Sequence, residues 1–262
     1  MNDDEVALTG GNVNQSVVRV GDTVRRAQTP ASPAIHRLLR HLEAKGFTGA
    51  PRFRGIDAQG RETLSFIAGA VNDTAHLWTE DPPLLAGARL LRAYHDATAD
   101  FVSGPDDVWA YRHPDPTRHE VISHNDFAPY NLVFADGMPI AAIDFDLVGP
   151  GPRLRDLAYA AYWMVPLSFG AGDMRAPAMR DLAEGSRRLK AFCQAYGVAT
   201  DTALLDWVAA VLHDMGAPTF ATAMVGPAVA ARLQLDGHFD HWHRERDAFH
   251  AKRQNLVANL EL

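Results

Sequence analysis

His124-Asn125-Asp126-Phe127-Ala128-Pro129-Tyr130-Asn131, followed by Ala142-Ile143-Asp144-Phe145-Asp146, is the most informative part of the sequence. The spacing reads H-x-D-x-x-x-x-N and then, thirteen residues past the asparagine, an aspartate between an apolar residue and a phenylalanine. Short apolar runs, Leu132-Val133-Phe134 and Ile140 to Phe145, flank Asp136-Gly137, a dipeptide that favours a tight hairpin turn. Val121-Ile122 forms a further strand-like piece just before the loop. Asp126 and Asn131 thus sit on a loop leading into a hairpin, with Asp144 at its far end.

Upstream, the first 70 residues read as sheet. Val17-Val18-Arg19-Val20 and Thr23-Val24-Arg25-Arg26 flank the turn Gly21-Asp22, and Gly10-Gly11-Asn12 follows the apolar run Val6-Ala7-Leu8. Arg52 to Ile56 and Glu62 to Ile67 are two more strands around Asp57-Ala58-Gln59-Gly60. Between the pairs, Ile35, Leu38, Leu39 and Leu42 recur at helical spacing, with Ser32 as expected N-cap, Pro33 in the first turn and Gly46 as terminator. Downstream of Gly69 and a polar connection to about Glu80, helices dominate. They are predicted on the face Leu84, Leu85, Ala88, Leu91 and Tyr94, then over Ala178 to Tyr196, Asp201 to Met215, and Pro227 to the C-terminus. An α+β chain is expected, with a small antiparallel-sheet lobe over 1–70 and a larger helical lobe over 71–262.

Composition narrows the class. The 262 residues are 47% apolar and 22% charged, with 25 basic against 32 acidic side chains and a net charge of −7. That is an ordinary globular profile, and its acidic balance argues against nucleic acid as partner. Cys193 is the only cysteine, so no intrachain disulfide and no cysteine-based zinc site can form. The acidic start Met1-Asn2-Asp3-Asp4-Glu5 lacks the features of a secretory signal, and the most apolar stretch is broken at Pro166. A cytoplasmic protein without membrane contact, monomeric or homodimeric, is expected.

The chemistry suggested by Asp126, Asn131 and Asp144 is phosphoryl transfer. It requires Mg2+ on the phosphate oxygens and a group that aligns the acceptor hydroxyl. Asn131 and Asp144 supply the oxygen ligands a hard cation takes, and Asp126 can hold the hydroxyl or accept its proton. The segment resembles the aminoglycoside phosphotransferase and choline-kinase-like small-molecule kinases, which share a protein-kinase-like bilobal fold. The resemblance spans nearly the whole chain. It implies Asp126 as catalytic base or orienter and Asn131 and Asp144 as magnesium ligands, with ATP or GTP as co-substrate and a small-molecule hydroxyl as acceptor. Ser65-Phe66-Ile67-Ala68-Gly69 becomes the hinge, where the backbone of Ser65 and Ile67 meets the purine. Gly10 to Ser16, with Asn12, Asn14 and Ser16, becomes the loop over the phosphates, although it lacks the G-x-G-x-x-G pattern of protein kinases.

Two departures stand out. The phosphate-contacting lysine of the third strand is replaced by arginine, Arg26 by alternation from Val24 in preference to Arg25. The helix from Pro33 to Lys45 has Glu43 as its sole acid, near its end, so the usual lysine–glutamate pair has no evident counterpart. These changes favour, as an alternative, a non-catalytic nucleotide-binding module; a primary-metabolite kinase of sugar, homoserine or choline type is the other. His124 is expected to pack beneath the loop, and Asp156 to steady it. His238, His241 and His243 read as a helix with an aromatic anchor, and Trp207, Val208, Val211, Leu212 and Met215 as core. Glu184, Asp201, Asp206 and Asp214 are available to line an acceptor pocket.

Overall fold

In the computed structural model the described residues are 5–8, 17–170 and 177–261. Five antiparallel strands, β1 (Val6–Ala7), β2 (Val18–Val20), β3 (Thr23–Arg26), β4 (Phe53–Ile56) and β5 (Glu62–Ser65), form the N-terminal sheet in the order β1-β2-β3-β5-β4. Gly21, at φ +60°, makes the β2–β3 reversal that other residues adopt only at a cost. In the β3–β5 register Arg26 faces Glu62 and Val24 faces Leu64.

Helix α1 (Ser32–Ala44) covers this sheet with Ile35, Leu38, Leu39 and Leu42, all buried. Ser32 does not cap it as expected: its hydroxyl accepts the Thr29 N–H, and the helix starts at Ser32 itself. The strand expected to reach Ile67 ends at Ser65.

The rest of the chain is helical around two small strand groups. β6 (Ala70–Val71), β8 (Leu132–Ala135) and β9 (Met138–Ala142) form one sheet in the order β6-β8-β9, so the polar connection begins as a strand. β7 (Val121–Ser123) pairs antiparallel with β10 (Gly149–Gly151), whose Gly-Pro-Gly sequence gave no strand signal. Gly149 is required there, because a Cβ would sit 1.6 Å from the Tyr111 carbonyl oxygen.

Helices α2 (Asp81–Thr98), α3 (Arg153–Met164), α4 (Leu182–Tyr196), α5 (Thr202–Met215), α6 (Pro218–Leu235) and α7 (His238–Glu261) complete the fold. The Asp181 and Asp201 carboxylates each accept two backbone N–H groups at the starts of α4 and α5, which is why α4 begins at Leu182 rather than Ala178. The C-terminal helix expected from Pro227 is two helices. α6 starts earlier, kinks at Gly226 before Pro227, and Gly237, at φ +71°, separates it from α7. Helix α3 is buried from Arg155 to Met164 and runs through the core. Among the described residues no single helix is long and apolar enough to cross a membrane.

Candidate active site

The loop between β7 and β8 is built around a buried carboxylate that is distant in sequence. Asp156, in the first turn of α3 and fully buried, accepts the His124 N–H at 2.6 Å through Oδ2 and the Asn125 N–H at 2.9 Å through Oδ1. His95 of α2 sits 3.0 Å from Asp156 Oδ2 through Nε2 and 2.6 Å from the Tyr196 hydroxyl through Nδ1. Burial raises the Asp156 pKa, but the His95 hydrogen bond and charge outweigh it and hold the carboxyl below its ordinary value. Asn125 takes φ +63°, a conformation asparagine tolerates better than most residues. Its Nδ2 donates to the Leu147 carbonyl, tying the loop to the segment after Asp144. His124 lies beneath the loop, its Nε2 3.2 Å from the Ile143 carbonyl; burial lowers its pKa, so it is neutral and donates through Nε2.

Asp126 is oriented by three side chains. Tyr130 and Tyr159 donate to Oδ1 at 2.6 and 2.8 Å, and Asn131 Nδ2 donates to Oδ2 at 2.7 Å. Burial and the Asp126 charge push both phenol pKa values well up, so both tyrosines keep their protons and remain donors. Because Asn131 spends its amide N–H on Asp126, the carbonyl Oδ1 is left as the acceptor atom at the cleft.

The hairpin explains the thirteen-residue spacing. Leu132 pairs with Ala142, and the Ile143 N–H donates to the Asn131 carbonyl at 2.8 Å, so Asp144 emerges beside Asn131. Asp136 and Gly137, both at positive φ, close the turn. Asp144 itself takes φ +63°, ψ +71°, and lines the cleft with Asn131. Although its side chain is 44% exposed, partial desolvation at the cleft and the Asp146 carboxylate raise its pKa to about 6 despite the opposing charge of Arg26. One carboxylate and one carboxamide oxygen, both hard donors at the end of a cleft, fit Mg2+ completed by phosphate and water.

The cleft has a volume of about 290 Å³. Val24, Leu64, Val133, Ile143 and Phe145 line its apolar part; Ser65, Phe66 and Ile67 form its far edge and Arg26, Asn131 and Asp144 its polar end. Ser65 N–H is committed to the Arg52 carbonyl at 2.8 Å. Asn12, Asn14 and Ser16 lie outside the described residues.

Arg26 is the arginine that faces inward. Its Nε donates to Glu62 Oε1 at 2.5 Å, its Nη2 lies 2.6 Å from Asp146 Oδ1, and its Nη1 lies 3.7 Å from Asp144 Oδ1. Arg25 points elsewhere, 3.9 Å from Asp57. The carboxylate absent from α1 is therefore present on β5. Glu43 is remote from this corner, near Arg52. Glu62, His36, Tyr159 and His95 escaped the sequence reading, because each acts through a partner far away in sequence. The Arg26–Glu62 cross-strand pair was the one readable signal, since both are charged at facing positions of adjacent strands.

The four helical-lobe acids have partners. Glu184 pairs with Arg187, Asp201 caps α5, Asp206 pairs with Arg253, and Asp214 pairs with Arg155 at 3.0 Å. Arg155 Nη1 also reaches Asn125 Oδ1, at 3.2 Å, so Asp214 alone connects to the catalytic-type loop. Trp207 is half-buried against Arg118 and His113 rather than central in the core. His238 Nε2 accepts the Trp242 indole N–H, as expected for a helix with an aromatic anchor.

Comparison with known proteins follows the same lines. The phosphotransferase enzyme family model matches residues 67–210. A trifolitoxin immunity protein of Rhizobium leguminosarum bv. trifolii is 37% identical over 196 residues, 70% of this chain and 74% of that protein. In structure the chain is similar to a choline/ethanolamine kinase family protein of Mesorhizobium loti, at TM-score 0.55 and 16% identity over 95% of this chain and 92% of that one. It is also similar to a spectinomycin phosphotransferase solved with ADP and spectinomycin, at TM-score 0.59 and 13% identity over 96% and 93%. An aminoglycoside phosphotransferase in complex with gentamicin gives TM-score 0.59 and 12% identity over 93% and 91%.

Proposed function

This chain belongs to the phosphotransferase enzyme family and is a small-molecule kinase, and we propose that it moves the γ-phosphoryl group of ATP or GTP onto a hydroxyl of an antibiotic-type acceptor in the cytoplasm. The observation that carries the reading is Asp126, fixed by Tyr130, Tyr159 and Asn131, with Asn131 and Asp144 lining the polar end of an apolar cleft. The immunity function in the relative's name and the gentamicin and spectinomycin complexes of structural neighbours support an antibiotic as acceptor.

In this reading the purine lies between Val24 and Ile143 with its edge toward the backbone of Ser65 and Ile67. The phosphates extend toward Arg26. Asn131 Oδ1 and Asp144 would hold Mg2+, which would supply neutralisation of charge on the phosphate oxygens. Asp126 receives the acceptor hydroxyl and holds it in line. As the acceptor oxygen bonds to the γ-phosphorus, the bond to the bridging oxygen breaks, ADP or GDP leaves, and the hydroxyl proton passes to an Asp126 carboxylate oxygen. Asp156 and His95 touch no substrate; they position the loop. Asp214 is linked to that loop through Arg155.

The test is turnover of purified protein on a panel of hydroxylated antibiotics, sugars, homoserine and choline with Mg·ATP or Mg·GTP. Phosphorylated antibiotic from the wild-type protein and none from Asp126→Ala is the expected result. Phosphorylation of choline or a sugar alone would assign primary metabolism instead.

A further inference from the structure

We infer that Glu62 on β5, locked by His36 of α1, is the carboxylate that positions Arg26 for the nucleotide phosphates, in place of an acid on the helix. The inference rests on the nucleotide reading of the cleft. Glu62 and His36 are 1% and 7% exposed, so neither serves solvent. Glu62 divides its two oxygens: Oε1 takes Arg26 Nε, and Oε2 takes His36 Nε2, each at 2.5 Å. The His36 ring is stacked on Phe53 of β4, with centroids 3.7 Å apart, and Arg40 covers Phe53 at 4.7 Å. The carboxylate is thus fastened to the sheet through its own strand and to α1 through His36.

The chemistry of arginine makes this arrangement workable. A lysine ammonium is a compact point charge with three rotatable donors, whereas the guanidinium is a planar fork whose separate edges can face different partners in fixed directions. Arg26 has two edges. Its Nε edge is spent on Glu62, and its Nη1 and Nη2 face the polar end of the cleft, near Asp144 and Asp146. The cross-strand register, Arg26 opposite Glu62, presents the acid at the required place without help from the helix. On the helix side the only acid of α1, Glu43, lies away from this corner near Arg52, so the strand acid is the one that meets Arg26. His36 keeps the helix in the circuit. Glu62 and His36 are positioning residues, since they reach the ligand only through Arg26.

Binding of ADP and of adenosine to the full-length protein with Mg2+, by titration calorimetry, separates the alternatives. Glu62→Gln is expected to weaken ADP about tenfold, the order expected on losing one charge-assisted anchor, and to leave adenosine unchanged. His36→Glu combined with Glu62→Gln returns an acid to the helix and is expected to recover part of the ADP affinity; this pair also reports if the single variant folds poorly. Equal weakening of ADP and adenosine, or unchanged ADP affinity, in folded Glu62→Gln overturns the inference, as does a double variant no better than a poorly folded single one. A wild-type protein that binds neither ligand removes the nucleotide reading itself.

Discussion

The two sides of the cleft hold their functional side chains in different ways. On the helical side, the loop of Asp126 is fixed through its backbone: the N–H groups of His124 and Asn125 end on Asp156, itself held by His95, whose other ring nitrogen meets the Tyr196 hydroxyl. On the sheet side, Arg26 is fixed through side chains alone, by Glu62, which it shares with His36, and by Asp146. A buried carboxylate is the anchor in both. Losing the first frees main chain and should damage the fold and turnover together; losing the second frees one side chain and should damage ligand affinity with less effect on the fold.

The largest effect expected is from Asp126→Ala, which should lower kcat about a thousandfold while nucleotide affinity stays near wild type, measured by steady-state kinetics. Asp156→Asn should follow. Removing a charge that compensates His95 and two backbone N–H groups should lower stability by about 3 kcal/mol in denaturant unfolding. Were Asp156→Asn as mild as Glu62→Gln in stability, the contrast between backbone and side-chain anchoring would be lost.

The pH dependence sharpens the same contrast. The folded pKa of Asp156 lies below its unfolded value, so its contribution is complete above about pH 3.9 and disappears as pH falls through the folded value. The stability gap between wild type and Asp156→Asn should therefore close in acid, as thermal melts between pH 2.5 and 6 would read. Asp144 behaves oppositely. Its pKa, raised to about 6, means that a cation must displace a proton below that pH, so Mg2+-dependent nucleotide affinity should fall roughly tenfold per pH unit below about 6. The smallest effect expected is from Tyr159→Phe, which removes one of two donors to Asp126 Oδ1 and should lower kcat about tenfold with the nucleotide KM unchanged.

What the sequence disclosed follows the same division. Asp126, Asn131 and Asp144 could be read because a short loop and a tight hairpin fix their relation within twenty residues, and Asp136-Gly137 announces the turn. The β2–β3 hairpin was accessible through Gly21-Asp22 and the β-branched runs around it. His95, Tyr159 and His36 were not accessible, since the fold alone brings their partners from 26 to 101 residues away. β10 escaped for a different reason. Gly-Pro-Gly has no strand propensity, and only the close approach of Tyr111 shows why glycine is needed.

The gathering of Asn131 and Asp144 around a divalent ion and a nucleotide can be tested most directly by Mn2+ binding, followed by electron paramagnetic resonance, with and without ADP. Wild-type protein should bind Mn2+ tightly only with ADP present, and Asp144→Ala should lose that ADP-dependent binding. Mn2+·ADP binding to Asp144→Ala indistinguishable from wild type would contradict the site.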